Sequence, residues 1–283
     1  MIDPGAPSIL RKKVGGMTVI MLSDGHLDAS FELLDEIDSD HAKNILRNNA
    51  IDPIPRININ AYIVLKGDQT ILVDGGAGGL NGWGGRLQDA LAAAAIDPLQ
   101  IDTVLLTHAH ADHIGGLAGP LATPHFKNVQ RLFVHRDELA FWTDEHIHAA
   151  APDAFKPYFE LAKNAFSAYD GRLVPFHHED ILPGIQAVPL PGHTPGHTGF
   201  LLNDDGDALL IWGDIVHFPH IQVERPQVTI AFDGEPARAA STRKQLLDRV
   251  ATERLTVSGM HFNAPATGRI VREGASYRLS YDA

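Results

Sequence analysis

The sequence predicts an α/β protein of four layers, in which two β-sheets lie inside and helices cover both outer faces. Its apolar, β-branched runs and its helical stretches follow the order strands, helix, strands, helix, and this order repeats about the middle of the chain. Residues able to bind metals directly follow several of the apolar runs, as expected where a rigid sheet positions functional loops. Because no linker or tandem repeat occurs, residues 1–283 are expected to form one domain.

The first half of the chain is expected to supply one sheet and two helices. Its boundaries follow from clusters of Gly, Asp and Ser between the apolar runs, which mark turns. Ser39 or Asp40 is expected to cap the first helix. The predicted elements are an N-terminal arm over residues 1–15, a strand at 17–22 closed by a turn at 23–25, a helix at 39–48, a hairpin of strands 60–65 and 70–74, a helix at 86–95 and a strand at 101–106.

The second half repeats this organisation, with the strand at 255–258 expected to be the last in the core. Its predicted elements are a strand at 131–135, a helix at 137–142, strands at 172–176, 185–190, 198–202 and 208–212, a helix at 236–250 and that last strand. Between them, residues 143–170 carry aromatic side chains at helical spacing. Two interpretations stay open: these aromatics pack on the core, which is favoured, or residues 141–180 form a lid over the active site.

Composition excludes several classes of function. The chain has 283 residues and a formal net charge of −12, which argues against nucleic acid as a partner. It has no cysteine, so any metal site must use nitrogen and oxygen ligands, which suit zinc, iron, manganese or cobalt. No apolar run is long enough to span a membrane, and the first residues lack the pattern of a secretory signal. We therefore expect a cytoplasmic protein.

The strongest motif is residues 107–116, which read THAHADHIGG after an apolar run. His108 and His110 are two residues apart, so both imidazoles point the same way while the chain is extended. Asp112 and His113 come where the chain turns and are free to aim at a second point. Four ligand-type residues at this spacing are hard to explain by packing, and the arrangement suits two metal ions better than one.

Later strand ends supply further ligand candidates. His193 lies in a rigid Gly/Pro turn, while Asp214 and His261 each end an apolar strand. Asp74 ends another strand against a glycine loop, where it is either a turn former or a partner that orients a metal ligand. Each of these residues alone has an ordinary structural interpretation, but together they complete two metal sites.

In this order the residues resemble the motif set of the metallo-β-lactamase superfamily, over nearly the whole chain. The resemblance implies the αββα sandwich, a homodimer and two divalent metal ions, most favourably zinc. It also implies ligand roles: His108, His110 and His193 would bind one ion, and Asp112, His113 and His261 the other. Asp214 would bridge the two.

Within that superfamily the bridging aspartate and the absence of a cysteine ligand are unlike the true β-lactamases. The pattern is similar to lactonases, glyoxalase II, phosphodiesterases and, above all, the methyl parathion hydrolase group. The matching segments are Phe141-Trp142, 192–198, 227–233, 268–274 and Tyr277-Arg278. One departure is Asn81, which stands where the organophosphate hydrolases place an aromatic, with Trp83 displaced. This departure argues against organophosphates as the preferred substrate.

The mechanistic hypothesis is hydrolysis by a water held between two ions, whose pKa falls to about 7. The resulting hydroxide would attack a carbonyl carbon or a phosphorus atom. Asp214 would hold the ions together, and Asp112 would accept the proton of the water. His197 is expected to orient its turn. For His217 and His220, a place at the surface is favoured over a place in the pocket, where one of them would protonate the leaving group.

The expected substrate is a small, uncharged, hydrophobic ester: a lactone, an aryl ester or a phosphotriester. This expectation rests on an aromatic inventory of Trp83, Phe141, Trp142, Phe159, Phe218 and Phe262. The predicted pocket residues are Asn81, Trp83, Trp142, Phe159, His217 and Phe262. The alternatives are a glyoxalase II-like thioesterase or a phosphodiesterase, and less favoured is a non-catalytic or redox di-iron protein.

Overall fold

The computed structural model describes residues 9–178 and 180–282. In chain order the strands are β1 (Ile9–Val14), β2 (Met17–Asp28), β3 (Arg56–Lys66), β4 (Gln69–Val73), β5 (Thr103–Leu105), β6 (Ala118–Gly119), β7 (Thr123–Pro124), β8 (Arg131–His135), β9 (Leu173–Phe176), β10 (Asp180–Leu182), β11 (Ile185–Pro189), β12 (Thr198–Asp204), β13 (Asp207–Ile211), β14 (Thr256–Ser258), β15 (Thr267–Glu273) and β16 (Ser276–Tyr281). The helices are α1 (Ser39–Asn48), α2 (Leu87–Ala93), α3 (Ala111–Ile114), α4 (Arg136–Thr143), α5 (Glu145–Ala150), α6 (Lys156–Ala168), α7 (Pro219–Glu224) and α8 (Pro236–Glu253).

Two seven-stranded sheets form the interior of the molecule. The first sheet has the order β1-β2-β3-β4-β5-β8-β9, and the second has the order β10-β11-β12-β13-β14-β15-β16. Both sheets are mixed: β4, β5, β8 and β9 are parallel neighbours, as are β13 and β14, whereas the remaining pairs are antiparallel. Parallel neighbours need a crossover, which α2 supplies between β4 and β5 and α8 between β13 and β14.

Successive side chains of a strand point to opposite faces of its sheet, so they pack into different layers of the molecule. Val19 and Val73 of the first sheet share one hydrophobic cluster with Ile211 of the second, and this cluster fills the space between the sheets. Ile20 and Leu72, one position along the same strands, point the opposite way into a second cluster. That second cluster contains the buried faces of α2 and α6, which therefore cover the outer face of the first sheet.

The outer face of the second sheet is covered by α8. Its buried residues Leu246, Leu247 and Val250 recur at helical spacing and join the apolar residues of that sheet. The helix contacts β15 and precedes β14. Two inner sheets with helices on both outer faces confirm the predicted four-layer fold class. Within the described part of the chain, no helix combines the length and the apolar character that a membrane crossing requires.

Several predicted boundaries are wrong in the N-terminal region. Residues 9–14 of the predicted arm form strand β1, paired antiparallel with β2; residues 1–8 lie outside the described part. The basic Arg11 to Lys13 run looked like an arm, but lysine is common on an edge strand, where it discourages further pairing. The predicted turn at 23–25 is a register shift within one long strand, β2. Asp38, rather than Ser39 or Asp40, caps α1 by accepting a hydrogen bond from His41 N.

The C-terminal prediction also needs correction, because β14 is not the last core strand. A hairpin of β15 and β16 follows it, and Ile270 and Leu279 bury their side chains in the central cluster. The charged residues that alternate along this hairpin hid its apolar face. The order of strands matters for function, since β5, β13 and β14 all end where loops carrying histidine or aspartate begin. Those loops build the site described next.

Candidate metal centre

The first motif follows β5 and makes one turn of helix. His108 is fully buried after the strand, and His110 directly precedes α3, in which Asp112 and His113 lie on the first turn. The two glycines after the motif are needed for space rather than for turning. A Cβ on Gly116 would collide with the carbonyl oxygen of Gly75, so the glycine loop after β4 can lie directly against the motif.

Three histidines form what we call the three-histidine cluster: His108, His110 and His193. His110 Nδ1 lies 3.1 Å from His108 Nε2 and 2.9 Å from His193 Nε2. Burial lowers the pKa of both His108 and His110 well below the ordinary value, so their imidazoles are neutral at pH 7. The Nδ1–H of His193 donates to Asp233 Oδ1 at 2.9 Å, which leaves Nε2 as a lone-pair donor facing the cluster.

Four residues form what we call the mixed cluster: Asp112, His113, Asp214 and His261. Asp214 Oδ2 lies 2.8 Å from His261 Nε2 and 3.2 Å from His113 Nε2, and Asp112 Oδ2 lies 3.4 Å from His113 Nε2. Although burial lowers the pKa of His113 and His261, the nearby carboxylates raise both above the ordinary value, for His113 well above it. His113 and His261 therefore retain protons at a pH at which His108 and His110 do not.

Partners outside the mixed cluster fix the orientation of its histidines. Asp74 Oδ2 accepts a 2.7 Å hydrogen bond from His113 Nδ1, and the carbonyl of Asn58 accepts a 2.6 Å bond from His261 Nδ1. Asp74 also accepts from the backbone N–H and the hydroxyl of Thr107. Of its two open interpretations, the structure favours the partner that orients a ligand.

Asp214 lies between the two clusters. Besides its contacts in the mixed cluster, its Oδ2 is 3.5 Å from His193 Nε2 and 3.7 Å from His108 Nε2. Its Oδ1 is buried and has no hydrogen-bond partner among the described residues. Burial raises the pKa of Asp214, but His113, His261 and His108 outweigh it and hold the pKa well below the ordinary value. Several imidazole nitrogens thus converge on an anionic carboxylate, one oxygen of which has no hydrogen-bond partner among the described residues. Imidazole nitrogens and carboxylate oxygens are ligands that divalent cations require.

Three further histidines surround this centre. The expected surface position of His217 and His220 is wrong, because both are buried, and His217 Nε2 lies 3.3 Å from Asp214 Oδ2. Burial lowers the pKa of His217 to about 4. His197 donates from Nδ1 to the carbonyl of Leu190 and accepts from Asp214 N–H at Nε2, so it ties the Gly/Pro turn to the aspartate loop.

Glu138 is a functional residue that the sequence did not reveal. This buried carboxylate accepts hydrogen bonds from Ala109 N and Trp142 Nε1 at Oε1, and from the Thr194 hydroxyl and Gly196 N at Oε2. It therefore joins the loop of His108 and His110 to the turn of His193. Except for Trp142, four residues later on α4, its partners are distant in the sequence, and no local pattern singles it out. Asp233, which orients His193, was singled out only as part of a matching segment.

The predicted pocket is only partly assembled. Trp142 is buried, and its ring packs edge-on against that of His110, with 5.7 Å between the ring centroids. The ring of Phe159 also packs against Trp142, with 4.8 Å between the centroids. Trp83 is half-buried and stacks on Tyr158 at 6.5 Å, and Asn81 is exposed. Phe262 does not fit its predicted place: it is buried in the core, where its ring packs against Trp212 and Tyr281. His261 and Phe262 lie in a turn in which Phe262 N–H donates to the carbonyl of Gly259, and Phe262 points into the core while His261 enters the centre.

The aromatics of residues 143–170 divide in the same way. Phe159, Phe166 and Tyr169 are buried in the outer cluster of the first sheet, which agrees with the core interpretation for these three. Phe155 is 52% exposed, and Tyr158 beside it reaches the glycine loop through Trp83.

A cavity of about 400 Å³ opens beside the mixed cluster. Of the six predicted pocket residues, His217 is the one that lines it in the described part of the chain. One side of the cavity is apolar and is formed by α1 and the segment after it. Another side is polar and lies near the candidate metal ligands. Its lining residues are Leu46, Ala50, Ile51, Asp52, Ile54, Arg56, Asn58, His217, Phe218, Pro219, His220, His261 and Asn263.

Comparison with known proteins agrees with this geometry. Residues 54–261 match the family model described as the metallo-beta-lactamase superfamily. The chain belongs to the metallo-β-lactamase superfamily. The predicted superfamily is thus confirmed, and with it a metal-binding hydrolase fold.

Among curated members, the probable metallo-hydrolase YqgX of Bacillus subtilis is 28% identical over 58% of this chain and 69% of its own length. The atrochrysone carboxyl ACP thioesterase of Passalora fulva is 29% identical over 56% of this chain but only 38% of its own length.

Solved structures of the superfamily match the whole described fold. The crystal structure of the hydrolase AbOPH has a TM-score of 0.90 and 28% identity, over 99% of each chain. The dizinc quorum-quenching lactonase AidC, with a product bound, also has a TM-score of 0.90, with 22% identity over 98% of each chain. This second likeness establishes the shared fold. Lactonases are therefore structural neighbours of this superfamily member.

Proposed function

We propose that the protein is a dinuclear metal-dependent hydrolase of small hydrophobic esters, with lactones, aryl esters and phosphotriesters as candidate substrates. One observation carries the proposal: Asp214 is shared by two ligand clusters, and a cavity of about 400 Å³ opens beside one of them, the mixed cluster. The hydrolase AbOPH and the lactonase AidC support it through their similar folds. Zinc is the proposed metal because AidC is described as a dizinc enzyme.

The seven predicted ligands would hold two ions, with Asp214 between them. When bound, divalent ions lower the pKa of a water to about 7 and polarise the oxygen of the scissile group. His108 and His110, whose pKa values are lowered, offer neutral imidazoles, whereas His113 and His261, whose pKa values are raised, must first lose protons. Asp112, whose side chain is 14% exposed, would accept the proton of the attacking water at a carboxylate oxygen.

The cavity supports the proposed substrate class. Leu46, Ile51, Ile54 and Phe218 offer an apolar surface for an acyl or aryl group, while His217 and His261 bring the centre to its polar end. Arg56 also lines the cavity, so a polar group at the far end of the substrate would have a partner. Asn81 is polar and exposed, so it offers no apolar contact to a phosphotriester. We therefore rank phosphotriesters below lactones as candidate substrates.

The test is metal analysis paired with a hydrolysis panel. The panel contains acyl-homoserine lactones, δ-lactones, aryl acetates, paraoxon, S-lactoylglutathione and a phosphodiester. We expect two equivalents of metal at the two clusters that share Asp214, highest kcat/KM on a lactone or aryl ester, and loss of activity after exhaustive chelation with recovery on metal addition. Rates orders of magnitude higher on the thioester would favour a thioesterase, and on the phosphodiester a phosphodiesterase. Full activity after chelation would overturn the proposal.

The resemblance to the methyl parathion hydrolase group supports three further assignments. We propose one domain over residues 1–283, a homodimer, and a lid role for the part of residues 141–180 around Tyr158, which meets the glycine loop through Trp83. Light scattering tests the dimer. Replacing Tyr158 by Leu tests the lid: we expect KM to rise several-fold while metal content is unchanged, and equal kinetics would contradict a lid role.

A further inference from the structure

A second group of possible metal ligands lies away from the dinuclear centre, at the edge of the first sheet. His135 ends β8, Asp137 lies on the first turn of α4, and His177 directly follows β9. We call these three residues the edge cluster. Since β8 and β9 are parallel and pair His135 with Phe176, their carboxyl ends bring His135 and His177 together. One ligand atom from each of the three residues lies within 4.8 Å of the others.

The local chemistry of the edge cluster suits a cation. His135 Nδ1 lies 3.9 Å from Asp137 Oδ2, and the His135 ring centroid is 5.1 Å from that of His177. His178 is also near, with its ring centroid 6.4 Å from that of His135. Burial and the two neighbouring histidines lower the pKa of His135, although Asp137 opposes them. A neutral imidazole is the form that binds a metal ion.

Burial differs across the edge cluster in a way that fits a site open to solvent. His135 is buried, His177 is partly buried, and the Asp137 side chain is 57% exposed. The inner histidine is held in place, since its Nδ1 accepts a 3.2 Å hydrogen bond from Asp137 N and faces Gly196. This bond is also the side-chain N-cap of α4, so a metal ion bound at Nδ1 would take the place of the cap interaction.

We propose that the edge cluster is a third metal site, which binds one divalent transition-metal ion such as zinc independently of the dinuclear centre. Two imidazoles and one carboxylate supply three protein ligands and leave a position for water. Such an ion would tie the end of β9 to the start of α4. The same helix carries Glu138, which holds both loops of the three-histidine cluster, so the third ion would also stabilise the support of the main centre.

The test counts zinc in the whole protein and in variants. Purified protein is equilibrated with buffered free zinc over a range of concentrations, and bound zinc is measured by atomic emission after gel filtration. The test variant is Asp137→Asn combined with His177→Asn, which leaves the buried His135 in place. The matched control is His146→Gln, an exposed histidine on α5 outside the cluster.

We expect the wild type and His146→Gln to bind one equivalent more than the double variant, and each single variant to bind that equivalent at least tenfold more weakly. Thermal melting should show the same difference, with zinc raising the Tm of the wild type beyond the rise in the double variant. Equal zinc content in the wild type and the double variant would overturn the proposal. Because the readout is a difference of one equivalent, it does not depend on how many ions the dinuclear centre holds.

Discussion

The two clusters that share Asp214 differ in charge and in how their histidines are held. In the three-histidine cluster, burial keeps His108 and His110 neutral, and the carboxylate of Asp233 orients His193 from outside. In the mixed cluster, carboxylates lie among the histidines themselves and raise the pKa of His113 and His261. The first cluster is thus prepared for a cation at pH 7, whereas the second holds protons in its place.

Two neighbouring sites that share one residue can therefore differ in how many protons a metal ion must displace when it binds. A cation that enters the mixed cluster must displace protons from His113 or His261, but it gains two carboxylates as ligands. A cation in the three-histidine cluster displaces none from His108 or His110 but gains only the shared Asp214. We therefore expect the two sites to respond differently to pH and to the loss of their outer partners.

The largest effect is expected from Asp214→Ala, which removes the residue that both clusters share. Five histidine nitrogens lie within 3.7 Å of its Oδ2, namely those of His108, His113, His193, His217 and His261. We expect the metal held by the two clusters to fall below one equivalent and activity to fall roughly 10³-fold or more, as several kcal/mol of transition-state stabilisation is lost. Asp68→Ala, at the exposed tip of the β3–β4 hairpin, is the matched control and should change neither. Two equivalents and full turnover in Asp214→Ala would refute the shared role.

A matched pair of variants separates the two clusters. Asp233→Asn weakens the carboxylate partner of His193, and Asp74→Asn weakens that of His113. Each change is expected to lower metal affinity about 10- to 100-fold, because an outer partner fixes the tautomer and basicity of a ligating histidine. Competition with a chelator should show one weakened ion in each variant. If either variant weakened both ions equally, the two sites would not be separate.

A smaller effect is expected from Glu138→Gln. The glutamine amide has one acceptor oxygen, whereas the carboxylate has two. Two of the four buried donors therefore lose their acceptor; the four are Ala109 N, Trp142 Nε1, Thr194 Oγ1 and Gly196 N. Leaving buried donors unpaired costs about 1–3 kcal/mol, which should lower Tm by several degrees. Glu138 holds the Ala109 backbone between His108 and His110 and the turn after His193, so the ion of the three-histidine cluster should be weakened more than the ion of the mixed cluster. Glu32→Gln, on an exposed residue, serves as the control.

The smallest expected effect is a difference in pH dependence. As pH falls, protons return first to the groups with raised pKa, His113 and His261, and only at lower pH to His108 and His110. Metal content measured against pH should therefore fall in two steps, with the ion of the mixed cluster lost first. Asp74→Asn should move that first step alone. Loss of both ions in one step would contradict the difference between the clusters.

The sequence predicted the features that depend on local order. His108 to His113 lie within six residues after an apolar run, so their convergence follows from strand geometry. His193, Asp214 and His261 were found because each ends a predicted strand, and the sheets bring those ends together. The four-layer fold followed from the same alternation of apolar strands and helices.

What the sequence did not predict depends on contacts between distant segments. His217 and His220 were expected at the surface, but both are buried. His220 lies on α7, which packs against α1 and β16, and the ring of His217 packs against those of His193 and His261. Phe262 was predicted to line the pocket as one of the aromatic residues, yet its ring packs in the core. Three of the four partners of Glu138 are 29 to 58 positions away, which no local pattern reveals. The edge cluster also depends on a parallel pairing across a long crossover.

The most direct test is anomalous diffraction from crystals of the metal-loaded protein, recorded at the absorption edge of the bound metal. We predict two peaks, one at the three-histidine cluster and one at the mixed cluster, about 3.5–4 Å apart as in other two-metal centres, with Asp214 between them. A single peak at this centre, or two peaks that Asp214 does not join, would contradict the account.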